Sequence, residues 1–169
     1  MRLRSVKAII EALNNAGVRY LVVGGVAVIA HGYLRYTKDI DFVVQLLPDN
    51  IMKALEALEK IGYRPLIPVK AQQFADRATR ERWIREKDMK VFQLWSDEHL
   101  ETPIDLFAAE PFDFDDEYRR AVHKSLFQQL DVPVVTITTL IGLKETSARP
   151  EDKIDVEHLR VIWESHEQS

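Results

Sequence analysis

The sequence predicts an α+β fold, a mixed α/β domain in which a small sheet is flanked by helices. Apolar residues recur at helical spacing in several segments, short continuously apolar runs lie between them, and Gly or Pro separates most of the segments. At 169 residues with 46% hydrophobic content, the chain has enough apolar material for one core. We therefore expect one domain over residues 1–169, with a core over about 1–136 and a helical C-terminal part over about 137–169.

Val6, Ile9, Ile10 and Leu13 fall at i, i+3, i+4 and i+7, the pattern of an amphipathic helix that stops at Gly17. Tyr20–Val23 is a short apolar run, expected as a buried strand. Gly24-Gly25 breaks it, and residues 26–31 form a short helix. Residues 39–44 give the second strand. A helix after Pro48 sets Ile51, Leu55, Leu58 and Ile61 on one face, with Gly62 behind it. Residues 70–88 are polar and helix-compatible. Their basic residues (Arg77, Arg80, Arg82, Arg85, Lys87) alternate with Asp76, Glu81, Glu86 and Asp88 and read as a solvated face with local ion pairs.

Residues 89–95 alternate like a strand, and residues 103–107 form another. Residues 122–135 are expected to hold one or two short strands around a turn at Asp131. Thr138 or Thr139 caps a helix through Thr146, and Arg149-Pro150 interrupts it. A last helix from Glu151 buries Ile154, Leu159, Ile162 and Trp163.

Composition narrows the chemistry. Lys plus Arg is 23 against 27 for Asp plus Glu, so a whole-surface polyanion binder is disfavoured. The absence of cysteine excludes a disulfide scaffold, thiol catalysis and Cys-ligated zinc. The five histidines show no metal-ligand spacing, and His31 reads as a satisfied core histidine. Charge at residues 1–7 has no apolar signal core behind it, and no stretch reaches the roughly 20 apolar residues that span a bilayer. A soluble cytoplasmic protein with no membrane partner is expected.

The informative segment is residues 21–44. Asp39 and Asp41 are two apart in an apolar run, so on a strand both carboxylates point to one face while Ile40 and Phe42 point to the core. Chance alone gives about four acidic-x-acidic pairs in such a chain, so the hydrophobic flanks carry the argument. Two close carboxylates on a rigid strand repel each other and suit a hard divalent cation such as Mg²⁺. A third carboxylate, Asp105, stands in another apolar run. Gly24-Gly25, between a strand and a helix start, lets a phosphate approach the backbone closely. It is neither GxGxxG nor GxxxxGK[ST].

Gly24-Gly25 followed by Asp39-Ile40-Asp41 resembles the signature of the nucleotidyltransferase superfamily that includes DNA polymerase beta. The string Ala27, His31-Gly32, Arg35, Thr37, Asp39-Ile40-Asp41 is similar to the small bacterial AbiEii/AbiGii toxin-like and minimal nucleotidyltransferases. So is a second block, Lys144, then Arg149-Pro150, Asp152, Asp155-Val156 and Leu159. Glu151 departs from it, since relatives usually carry Lys there.

The resemblance implies a small twisted mixed sheet and transfer of a nucleoside monophosphate from a nucleoside triphosphate, with Mg²⁺ or Mn²⁺ as cofactor. It assigns Asp39, Asp41 and Asp105 to the metals, and these three with Lys144 to catalysis. It assigns Gly24, Gly25, Thr37, Lys144, Arg149 and Asp155 to the nucleotide, with Asp155 orienting Lys144. The acceptor it implies is a tRNA or other RNA 3′ end, or a protein hydroxyl. A toxin-like role would bring an antitoxin or other partner chain. The competing reading is a non-catalytic nucleotide-binding or partner-binding module on the same fold.

Overall fold

The computed structural model describes residues 1–127, 130–147 and 149–167. Its frame is a seven-stranded mixed sheet. Tyr20–Val23 (β1) and Ile40–Val44 (β2) are antiparallel neighbours at its centre, registered Val22 to Phe42 and Val23 to Asp41. Ile104–Phe107 (β5) runs parallel to β2, Val91–Trp95 (β4) antiparallel to β5, and Arg64–Pro65 (β3) closes that edge. On the other side, Leu130–Val134 (β7) runs parallel to β1, and Val122–Phe127 (β6) forms the far edge.

Helices cover the sheet because its strands are apolar on both faces. Leu3–Asn15 (α1) buries the predicted stripe of Val6, Ile9, Ile10 and Leu13, and Pro48–Lys60 (α3) buries Ile51, Ala54, Leu55 and Leu58. Each fully buried Leu or Ile contributes roughly 1.5–3 kcal/mol of transfer free energy. Tyr20 packs edge-on against Phe42 at 5.5 Å and donates its hydroxyl to Asn14 of α1 at 2.7 Å. Phe42 therefore faces α1, and Asp41, one residue out of phase, faces the opposite side. Between β1 and β2 lies Gly24–Ala30 (α2). Ala71–Ala75 (α4), Arg77–Lys87 (α5) and Phe114–Arg120 (α6) follow, and Ile137–Ser147 (α7) packs against Pro150–Glu167 (α8). No helix among the described residues is long and apolar enough to cross a membrane.

Several boundaries differ from the sequence reading. The two-residue β3 and the seven-residue α6 were not predicted, since neither is long enough to show a hydrophobic period. The polar stretch at 70–88 is two helices, and Arg80 is buried rather than solvated. Its guanidinium donates to the Phe74 and Ala75 carbonyls at 2.6 and 2.9 Å, satisfying groups that the end of α4 leaves unpaired. Asp131 lies within β7, opposite Ser125, rather than in a turn. The residues at 128–129, inside the predicted strand region, lie outside the described ones. Thr136, not Thr138 or Thr139, caps α7, its Oγ1 accepting from the Thr139 amide at 3.3 Å.

Ile154 and Trp163 were expected inside but are 50% and 37% exposed. The inward stripe of α8 is instead Asp152, Asp155 and Leu159, and the two carboxylates there are matched by cations described below.

His31 ends α2 with its Nε2 hydrogen-bonded to the Val135 carbonyl at 2.8 Å. Burial pulls its pKa down, and the bond to Val135 only partly opposes this. With the folded pKa depressed, the unfolded chain binds the proton first. Its stabilising contribution is complete above the ordinary histidine value near 6.5 and is lost as pH falls through the folded value. Chemical denaturation of wild type and His31→Gln from pH 8 to pH 5 should show a shallower acid loss in the variant.

Candidate active site

Three carboxylates meet at one end of the sheet. Asp41 on β2 and Asp105 on β5 are direct partners in the parallel register, so their side chains leave the same face from strands about 4.8 Å apart. Asp39 stands just before β2 rather than in it. The strand begins at Ile40, and the turn of residues 37–39 delivers the first carboxylate of the pair. Burial and the neighbouring charges of Asp39 and Asp105 push the Asp41 carboxyl up to about 7, despite the opposing pull of Lys144 and Arg149. Asp105 is also raised, by burial first and Asp39 next, against a hydrogen bond from Gln93. The three carboxylates thus concentrate negative charge that the protein's own cations do not cancel.

Gly24 and Gly25 lie against this cluster. Gly24 adopts φ +64°, and a Cβ there would run into the Asp41 carboxylate. A Cβ on Gly25 would come within 2.5 Å of Thr37 Oγ1. Thr37 is buried beneath the turn, its hydroxyl donating to the Asp39 carbonyl at 3.3 Å. The double glycine is therefore required by close packing on the acidic site itself. Gly24→Ala should destabilise the fold by about 1–3 kcal/mol, through left-handed strain and overpacking. Thermal melting checks this, with Gly142→Ala as control because a Cβ there meets nothing.

The C-terminal helices bring the predicted basic residues to the site. Arg149 acts electrostatically on both Asp41 and Asp105, and Lys144 on Asp41. Lys144 is only 9% exposed, with Nζ 2.7 Å from Asp152 and 2.9 Å from Asp155. Burial alone would raise the Asp152 carboxyl, but the hydrogen bond and charge of Lys144 help hold it below its ordinary value. Arg35 completes the network, its guanidinium 2.8 and 2.9 Å from the two Asp155 oxygens. Asp155 therefore joins Lys144 to the turn that carries Asp39. Three site residues carried no sequence assignment. Arg35 and Asp152 each stood in a motif block without a role, and Gln93 was one polar residue in an alternating strand.

Among the described residues, no three His, Asp or Glu side chains close into a ready-made metal cage. The donor set nevertheless suits a hard cation, since it is all oxygen and carries uncancelled charge, and Mg²⁺ typically takes only one or two protein carboxylates and completes its shell with water and phosphate. A cavity of about 360 Å³ opens elsewhere, between α3 and the β3–β4 edge, lined by Met52, Leu55, Tyr63 and Leu94.

A mixed sheet with strand-borne carboxylates beside a glycine turn defines the class: this is a nucleotidyltransferase fold. The chain belongs to the family described as nucleotidyltransferase of unknown function (DUF6036), which matches residues 1–166. Solved structures share the fold at low identity. The lincosamide antibiotic adenylyltransferase LnuA, bound to lincomycin, is 15% identical, with a TM-score of 0.63 over 96% of this chain and 98% of its own. ANT(2″)-Ia in complex with adenylyl-2″-tobramycin is 14% identical, with a TM-score of 0.53 over 92% and 85%. A Thermotoga maritima protein described as a nucleotidyltransferase is 13% identical, with a TM-score of 0.57 over 96% and 92%. No curated protein matches by sequence.

Proposed function

We propose that this nucleotidyltransferase moves a nucleoside monophosphate from a nucleoside triphosphate to an acceptor hydroxyl, with Asp39, Asp41 and Asp105 holding Mg²⁺ or Mn²⁺. The observation that carries the reading is the registered pair of Asp41 and Asp105, with Asp39 beside it and Gly24 packed on Asp41. Bound there, the divalent ions would supply charge neutralisation on the phosphates and on the acceptor oxygen. The chain's own residues do the rest. The Gly24-Gly25 turn, packed on Asp41 and Thr37, would bring a triphosphate against the carboxylates, and Arg149 adds positive charge that acts on Asp41 and Asp105. Lys144 lends its field from within its pairing with Asp152 and Asp155. Positioning and electrostatics of this kind account for most phosphoryl-transfer catalysis.

ATP is the first donor to test, because one structure that shares the fold is an adenylyltransferase by name and another holds an adenylylated molecule, adenylyl-2″-tobramycin. The acceptor classes are a tRNA or other RNA 3′ end, a protein hydroxyl of the toxin–antitoxin kind, and a small hydroxylated molecule such as those two structures contain. Each α-³²P-labelled triphosphate is incubated with the protein, Mg²⁺ or Mn²⁺, and in turn total RNA, a cell lysate and a panel of polyols and aminoglycosides. Label transferred to one class identifies the acceptor. Nucleotide-dependent thermal stabilisation with no label on any class overturns catalysis and favours a binding module.

A further inference from the structure

Gln93 on β4 sits opposite Asp105 on β5 in the antiparallel register, while Asp105 is paired with Asp41 of β2 in the parallel one. The three side chains form one transverse line across the sheet and project from one face. Gln93 Nε2 donates to Asp105 Oδ1 at 2.9 Å. One oxygen of Asp105 is thereby held from the neighbouring strand.

The chemistry of that donor is specific. The buried carboxylates Asp152, Asp155 and Glu117 are matched with Lys144, Arg35 and Arg120, so their charge is cancelled where they stand. Asp105 accepts from a neutral amide and, among the described residues, stands in no ion pair within 4 Å, Arg149 adding only its field. An amide holds a carboxylate by one hydrogen bond and leaves its full charge available, whereas a lysine or arginine at residue 93 would neutralise it. Gln93 also lies on a regular strand held on both sides, by β5 and by the Leu66 amide donating to its own carbonyl at 2.9 Å. Its position is therefore rigid.

We propose that Gln93 is a positioning residue for the divalent-cation site, orienting Asp105 without discharging it. This rests on the reading that the three carboxylates hold a divalent ion. Partners that hold a ligating carboxylate from behind typically govern affinity by 10–100-fold when removed.

The test is Mn²⁺ titration followed by electron paramagnetic resonance, with and without a non-hydrolysable ATP analogue, on wild type, Gln93→Ala, Gln93→Asn, Gln93→Lys and Asp105→Asn. Melting temperature is recorded alongside as the control for folding. Gln93→Ala and Gln93→Asn should bind Mn²⁺ about 10-fold more weakly or worse at unchanged melting temperature, the shorter amide being unable to reach Asp105. Gln93→Lys should match Asp105→Asn. If wild type binds and Gln93→Ala and Gln93→Asn bind equally well, Gln93 has no such role while the metal reading stands. If wild type itself binds no Mn²⁺ with the analogue present, the metal reading fails and takes this inference with it.

Discussion

Replacing Asp39 and Asp41 together by asparagine should lower nucleotidyl transfer by about 10³-fold or more while raising the melting temperature of the metal-free protein. On the proposed function the two carboxylates would anchor divalent ions, worth several kcal/mol of transition-state stabilisation, and about 4 kcal/mol is a factor of 10³. The gain in stability has a separate cause. Asp41 is pushed up to about 7 by burial and by two like-charged neighbours, so at pH 8 the folded protein carries an ionised group it disfavours. Asparagine keeps the shape against Gly24 and removes the charge. Residues of purely structural importance behave in the opposite way, because truncating a satisfied ion pair lowers stability. Label-transfer rates and melting curves in chelator-treated buffer decide it. A double variant that melts lower than wild type would mean that the acidic pair is a structural partner, and retained transfer would place the chemistry elsewhere.

The acidic site was legible in the sequence because strands impose a two-residue period and the flanks were apolar. Ile40 and Phe42 had to face inward, so Asp41 had to face out of the core, and Ile104 and Leu106 did the same for Asp105. The glycine turn was legible too, but its reason was not. Only the fold shows that Gly24 meets Asp41 and Gly25 meets Thr37. The α8 face was misread for a related cause. Hydrophobicity assigns Ile154 and Trp163 to the interior, yet Asp152 and Asp155 occupy it, because Lys144 and Arg35 arrive from other elements to neutralise them. Arg80 is the same lesson in reverse, a charge buried because the end of α4 offers it carbonyls. The Arg35–Asp155 pairing joins residues 120 positions apart, and no local period announces it.

Asp155→Ala should therefore be the most destabilising single change in the C-terminal half, by about 3–5 kcal/mol, or roughly 10 °C in melting temperature. Asp155 is 1% exposed and receives two cations, so its loss leaves Arg35 without a carboxylate and Lys144 with Asp152 alone. The same carboxylate also docks the turn before β2. Residues 32–35 run along α8, where Tyr33 stacks on His158 at 3.8 Å and Arg35 reaches Asp155 one turn earlier. Arg35 secures the turn further by donating to the Tyr36 carbonyl at 2.7 Å. Freeing that turn loosens Thr37 and Asp39, so transfer should fall even at temperatures where the fold persists. Arg35→Ala should cost less than Asp155→Ala, because Asp155 keeps Lys144. The double variant should cost less than the sum, as expected for residues in one network. Additive losses in that cycle would show that Arg35 and Asp155 act independently, and the acidic site would then have to be held in place by the sheet alone.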